Sequence, residues 1–150
     1  MKLSTKGRYA LIAMAYIARK DFNSKVSVAE ISEKQGISLT YLEQLLMKLR
    51  KARLVRSARG AAGGFSLNSH PKNIRVHDIM KAVDENFAAV DIDSKYQMKV
   101  LPEPFEQVLT EKFWEQFSSQ VYLFLHNISL DDIATDSMEP CQAVSSFEKA

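Results

Sequence analysis

The stretch Ser27 to Phe65, SVAEISEKQGISLTYLEQLLMKLRKARLVRSARGAAGGF, decides the fold. It reads as two short helices, a tight turn, and a basic arm closed by glycines. Ser27 and Glu30 have the spacing of a capping box, in which the hydroxyl satisfies an orphan N–H and the carboxylate reaches back. Val26 and Ile31 stand at the staple positions of the same helix start. Gly36 ends that helix, because glycine adopts positive φ without steric cost. Ser38 or Thr40 caps a second helix. Its apolar positions are Leu39, Leu42, Leu45, Leu46 and Leu49, at helical spacing, and they are expected to face a core. Thr40, Glu43, Gln44, Lys48 and Lys51 then point outward. Helix, glycine turn, helix is the helix-turn-helix arrangement, whose second helix enters the DNA major groove by its N-terminal end.

Leu54 to Arg59 and Phe65 to Leu67 are short strand-like runs on either side of Gly60-Ala61-Ala62-Gly63-Gly64. They predict a hairpin, or wing. A glycine loop could instead cradle a nucleotide phosphate, but neither GxGxxG nor GxxxxGK followed by Ser or Thr is present.

Charge points the same way. The net charge of +2 over 150 residues hides an asymmetry. Residues 1–81 carry 16 Lys and Arg against 5 Asp and Glu, whereas residues 82–150 carry 4 against 13. Between Glu43 and Asp78 there is no acid, while Lys48, Arg50, Lys51, Arg53, Arg56, Arg59, Lys72 and Arg75 all fall there. A charge run is usually a solvated face. Coincidence with the helix-turn-helix and wing favours a nucleic-acid surface. A hydrophobic content of 46% is enough for one core. One cysteine excludes an intrachain disulfide framework and suits a reducing cytoplasm. Lys2, Lys6 and Arg8 before the apolar run Tyr9 to Ala18 superficially resemble a signal peptide, but Arg19-Lys20 ends the run without a cleavage-type site, so a buried first helix is expected. No stretch is long enough to span a bilayer.

Taken in order, the first helix is expected to begin after Ser4 or Thr5 and run to Arg19, with Ile12, Ala13, Tyr16 and Ile17 inward. Ser69 to Lys72 is a breaker. Ile74 to Val76 is a candidate short strand, and a helix from His77 or Asp78 to Asn86 turns Ile79, Met80 and Val83 inward. The pattern fades from Phe87, and Pro102 and Pro104 punctuate the end of a loop. A long helix from Pro104 to Asn127 follows, proline suiting its first turn. Phe105, Leu109, Phe113, Phe117, Val121, Phe124 and Ile128 form its apolar stripe, with Val108, Trp114 and Leu125 beside it. A stripe about 35 Å long exceeds what a small head could cover and suggests a two-fold dimer; one long core helix in a monomer is the alternative. Ser129 caps a last short helix, Leu130 to Ala134, with Asp131 and Asp132 in its first turn. The expected class is therefore mostly α: a winged helix-turn-helix domain over residues 1–86, a loop over 87–104, a dimerisation helix and short terminal helix over 105–134, and a tail over 135–150.

Met1 to Ala10, Ile31 to Ser38, Tyr41 to Leu45, Arg59-Gly60 and Ala82-Val83-Asp84-Glu85 together closely resemble the IscR branch of the Rrf family of winged-helix transcription regulators, whose relatives include NsrR and RirA. The resemblance covers residues 1–134. It implies a homodimer joined through the long helix, bound to double-stranded operator DNA, and regulating iron–sulfur cluster assembly genes. It also implies an iron–sulfur cluster held by three cysteines before the long helix and a histidine within it. This chain has no cysteine between Asp91 and Val108, and it reads Leu109-Thr110-Glu111 where the family reads Leu-Thr-His. Thiolates are the expected cluster ligands, and the only thiol is Cys141. Cys141 admits three readings: cluster ligand, redox-sensing thiol, or inert tail residue. As a ligand it requires partners such as Glu111, His126 or His77, or the second subunit.

Thr40, Glu43 and Gln44 are the candidate base readers. Glutamine pairs bidentately with adenine, glutamate accepts from cytosine N4, and the threonine methyl meets the thymine methyl. Glu43 has a structural alternative, a capping box with Thr40. Arg59, beside Gly60 at the wing tip, suits a narrow minor groove over an A·T step; a plain phosphate contact is its alternative. Ala61-Ala62 replaces the Pro-Gly common in the family's wing. Lys48, Arg50, Lys51, Arg53 and Arg56 cannot all face DNA from one helix and strand, so part of this set is expected to touch phosphate. Ser38, Tyr41 and Tyr9 are candidate backbone contacts. A thiol enzyme would need a CxxC or a nucleophile–base constellation, and neither is visible. An interaction module that no longer reads DNA would lack duplex binding even at low salt.

Overall fold

The N-terminal helix is held at its first turn by a residue from the far end of the head. In this computed structural model, which describes residues 4–85 and 104–139, α1 spans Thr5–Ala18. Ser4 caps it, its hydroxyl accepting from the Lys6 N–H at 3.2 Å. The Glu85 carboxylate accepts hydrogen bonds from the Ser4 hydroxyl and from the Gly7 N–H, the latter at 2.9 Å. A carboxylate at a helix N-terminus satisfies orphan donors and opposes the macrodipole. Gly7 makes the approach possible: a Cβ there would lie 2.7 Å from Met80 Sδ and 2.8 Å from Glu85 Cγ.

The helix-turn-helix follows as α2, Val28–Gln35, and α3, Leu39–Lys51. Gly36 closes α2 at φ 64°, and the Ser32 hydroxyl donates to the Ile37 carbonyl at 2.6 Å, fastening the turn. Leu42, Leu45, Leu46 and Leu49 are fully buried with Met14, Ile31 and Ile79. Burying each leucine contributes about 1.5–3 kcal/mol. The wing is the antiparallel pair β1, Val55–Ala58, and β2, Gly64–Leu67, in register Val55 to Leu67. It is pinned to the body where Val26 and Phe65 exchange two backbone hydrogen bonds of 2.8 Å. A short 3-10 turn, Pro71–Asn73, leads to α4, Val76–Ala82.

The long helix α5, Phe105–Asn127, buries no residue. Phe105 is 71% exposed, Phe113 59% and Phe124 58%. It packs on α4, and the chain after it is clamped to the head. Val76 N–H donates to the Ile128 carbonyl at 3.0 Å and Leu130 N–H to the Ile74 carbonyl at 2.8 Å. Helix α6, Leu130–Ala134, starts with a complete capping box between Ser129 and Asp132. It packs on α1 and places Leu130 in the head's core. The short terminal helix is thus part of the head rather than an extension of α5.

Several local expectations change. Ser27 accepts from the Glu30 N–H, but the Glu30 carboxylate turns to Tyr16 and Lys20 instead of closing the capping box. Leu39 is 42% exposed: it shares the outer face with Glu43 and Met47, one and two turns on, and the core stripe begins at Leu42. In α1 the buried face is Gly7, Ala10, Ala13, Met14 and Ile17, while Ile12 and Tyr16 are half-buried. The candidate strand at 74–76 reduces to one bridge between Arg75 and Ser129. Helix α4 begins at Val76 and stops at Ala82, where Asp84 turns to φ 60°. Most of the expected loop at 87–104, and the tail from 140 onward, lie outside the described residues.

Burial by itself would push the Glu85 carboxyl up, yet the bonds from Ser4 and Gly7 outweigh it and hold the carboxyl below the ordinary glutamate range. A lowered folded-state value stabilises above the unfolded-state range and is lost as pH falls through the folded one. Glu85→Gln is therefore expected to cost about 1 kcal/mol at neutral pH, read as a lower Tm. The gap to the unmutated protein should close in acid, below the ordinary glutamate range. A pH-independent gap would contradict the role of the charge.

Candidate nucleic-acid interface

Helix α3 carries the leucines inward and thereby fixes what it shows outside. Ser38, Thr40, Glu43, Gln44 and Lys51 are exposed, Tyr41 and Lys48 half-buried. Ser38 is the N-cap residue, is exposed, and makes no side-chain cap bond, which leaves its hydroxyl uncommitted to the helix end. Thr40 lies inside the helix, so it does not form a capping box with Glu43. That removes the structural alternative for Glu43. Gln44 lies one turn beyond Thr40, with Lys48 a further turn on and Lys51 after it, on one face.

Tyr41 is braced from α1. Its ring meets Tyr9 edge-on at 5.9 Å, and its hydroxyl lies 3.4 Å from the Thr5 hydroxyl. Tyr9 is half-buried and serves first to support Tyr41. On the other side of the turn, Tyr16 donates to Glu30 at 2.7 Å and Lys20 approaches it at 3.2 Å. The Tyr16 hydrogen bond, then the Lys20 one, hold the Glu30 carboxyl below its ordinary range. This network ties α2 to α1, so the two helices carry α3 as a unit.

The basic set divides by partner. Arg50 donates to the Ser57 hydroxyl at 2.9 Å, joining α3 to the wing. Arg56 donates to Ser66 at 3.0 Å and lies over the Phe22 ring at 5.8 Å. Lys48 pairs with Asp84 at 2.6 Å. Arg53 sits at φ 61° where the chain leaves α3. Arg59 and Lys51 are exposed. The wing turn closes by a Gly63 N–H to Gly60 carbonyl bond of 2.9 Å, and Gly60 sits at φ 103°. Sequence reasoning missed Phe22 and Asp84. An aromatic in a polar loop and an acid just past a basic tract were the available signals.

Of the metal candidates, His77 and His126 come together, their ring centroids 6.0 Å apart, whereas Glu111 stands apart from His126. Glu111 and His126 stand on one helix, 15 residues apart, which is about 22 Å along the axis. His126 stacks on Tyr122 at 5.7 Å, and His77 meets Tyr122 at 4.6 Å and lies 3.4 Å from Asp78. No three His, Cys, Asp or Glu side chains converge on a metal position among the described residues. Cys141 lies outside them.

A helix-turn-helix with an exposed polar reading face, followed by a basic two-stranded wing, defines a winged-helix DNA-binding regulator of transcription. Residues 3–136 match the Rrf2 family, described as "Iron-dependent Transcriptional regulator", and the chain belongs to that family. It is 47% identical over 146 residues to the HTH-type transcriptional regulator IscR of Cereibacter sphaeroides, covering 96% of this chain and 94% of that one. Identity to the IscR of Vibrio parahaemolyticus is 44% over 137 residues, covering 91% and 79%. Among solved structures, T. potens IscR aligns with a TM-score of 0.72 and 35% identity over 95% of this chain and 93% of that one. CymR, the global cysteine regulator of B. subtilis, aligns with a TM-score of 0.75 and 33% identity over 90% and 97%. The chain is a DNA-binding transcription regulator of the IscR type and not an enzyme. No helix among the described residues is long and apolar enough to cross a membrane.

Gln44→Ala is expected to weaken binding to the specific site by about 1–3 kcal/mol and to random duplex much less. Arg59→Ala should show the same bias. Lys51→Ala should weaken both and flatten the salt slope by about 0.9. Equal losses for Gln44→Ala on specific and random duplex, measured by fluorescence anisotropy, would refute its assignment as a base reader.

Proposed function

We propose that the protein is a homodimeric, operator-reading repressor or dual regulator acting in the cytoplasm, with two heads joined through α5. The observation that carries this is the unburied apolar face of α5. Phe113, Trp114 and Phe117 form a ring cluster, with Phe113 4.9 Å from Trp114 and 6.4 Å from Phe117. Leu109 and Phe105 extend it outward. A contiguous apolar face of this kind marks an association surface, and a two-fold pairing covers the same face on both copies. Two heads on one duplex then read half-sites about one helical turn apart. Thr40, Glu43 and Gln44 read base edges, Arg59 enters the minor groove, and Ser38, Tyr41, Lys51 and part of the remaining basic set hold phosphate.

Control of iron–sulfur cluster assembly genes is supported by the likeness to proteins named IscR and by the family's description. The described residues do not themselves fit a cluster: thiolates are the expected ligands, and Glu111 and His126 are too far apart to share one. Because Cys141 is the one thiol of the sequence, any iron and acid-labile sulfide retained on anaerobic purification is expected to fall together in Cys141→Ala. Sulfide that persists in that variant would contradict this.

The dimer is tested by sedimentation equilibrium. The unmutated protein is expected at twice the chain mass. Leu109→Asp with Phe113→Asp should shift it to the chain mass, keep the helical circular dichroism, and weaken operator binding by about 100-fold or more through lost avidity. An unchanged mass would overturn the assignment.

A further inference from the structure

Asp84 is an acid set among lysines. Its carboxylate lies 2.6 Å from Lys48 Nζ. Lys6 and Lys51 are also near enough to favour its charge, after Lys48 itself. The backbone that presents it is anchored: Asp84 N–H donates to the Lys81 carbonyl at 3.2 Å and Glu85 N–H to the Met80 carbonyl at 3.0 Å. Glu85 is in turn fastened to Ser4 and Gly7. The pair is open to exchange, because the Lys48 and Asp84 side chains are 43% and 71% exposed. An exposed ion pair is weakly held.

Lys48 lies one turn beyond Gln44 on the face that α3 offers to DNA. A duplex docked there brings a phosphate, whose charge matches that of the carboxylate already present. We propose that Asp84 is a positioning residue that stands in for a DNA phosphate, holding Lys48 extended on the recognition-helix face until the duplex displaces it. The inference rests on the reading of α3 as the DNA-facing helix. It has a counterion consequence. Lysines that neutralise phosphates release condensed cations, and each contributes about 0.9 to the salt slope. Lys48 exchanges one anion for another, and the uncovered Asp84 takes up a cation from solvent. Its net contribution to the slope is therefore close to nil. Asp84 lowers affinity for every sequence equally, because phosphate contacts carry no sequence information.

The test is a salt titration of binding to a random-sequence duplex by four full-length proteins: unmutated, Lys48→Ala, Asp84→Asn, and the double variant. Asparagine tolerates the positive φ of position 84, so the turn is kept. Asp84→Gly, which also accepts that φ, replaces it if the asparagine variant does not fold. Asp84→Asn is expected to bind more tightly, with a slope steeper by about 0.9. Lys48→Ala alone should leave the slope close to that of the unmutated protein, and the double variant should lose the steepening. A slope unchanged in Asp84→Asn would overturn the proposal. So would a steepening that survives in the double variant, since the effect would then be net charge and not Lys48. Absence of duplex binding by all four proteins would overturn the reading of α3 itself, and the proposal with it.

Discussion

The leucine face of α3 sets which side chains that helix turns outward. Leu42, Leu45, Leu46 and Leu49 are buried against α1, α2 and the strand that follows. With side chains about 100° apart around a helix, seating that face leaves Thr40, Glu43, Gln44 and Lys51 no direction but outward. The same burial fixes where the chain leaves α3, and so where β1 begins. Rotating α3 by one residue would bury Glu43 without a partner and expose a leucine. The core thus chooses which polar side chains α3 offers to solvent.

What was legible in the sequence was what repeats locally. Helical leucine spacing, Gly36 between two helices, and glycines between two strand-like runs each state their structure within a few residues. What was not legible depended on partners far along the chain. Glu30 had the spacing for a capping box, but Tyr16 and Lys20 on α1 offer it stronger donors. Leu39 had the right spacing but lies on the wrong side, because the phase of the stripe is set by Leu42 and its neighbours in the core. Nothing local to Asp84-Glu85 shows that one residue pairs with α3 and the other caps α1. The site followed the same division: the exposed face of α3 could be read directly, whereas the pairing of Lys48 and the Arg56–Phe22 contact could not.

The long helix shows a division of labour. Its C-terminal end is clamped to the head through Ile128 and Leu130, so α5 leaves the head in a defined direction. The rest carries Phe105, Phe113, Trp114 and Phe117, each still exposed among the described residues. A displacement at α5 would reach α1 through α6 and reach the Asp84-Glu85 turn through α4. Both routes end at the element that holds the recognition helix.

Hydroxyl-radical footprinting of a duplex carrying the protein's operator tests the central claim most directly. Two heads joined through α5, each with a helix in the major groove and a wing beside it, should protect two blocks of sugars about one helical turn apart, related by a two-fold axis. Protection of a single block, at a protein concentration that saturates the duplex, would contradict the account.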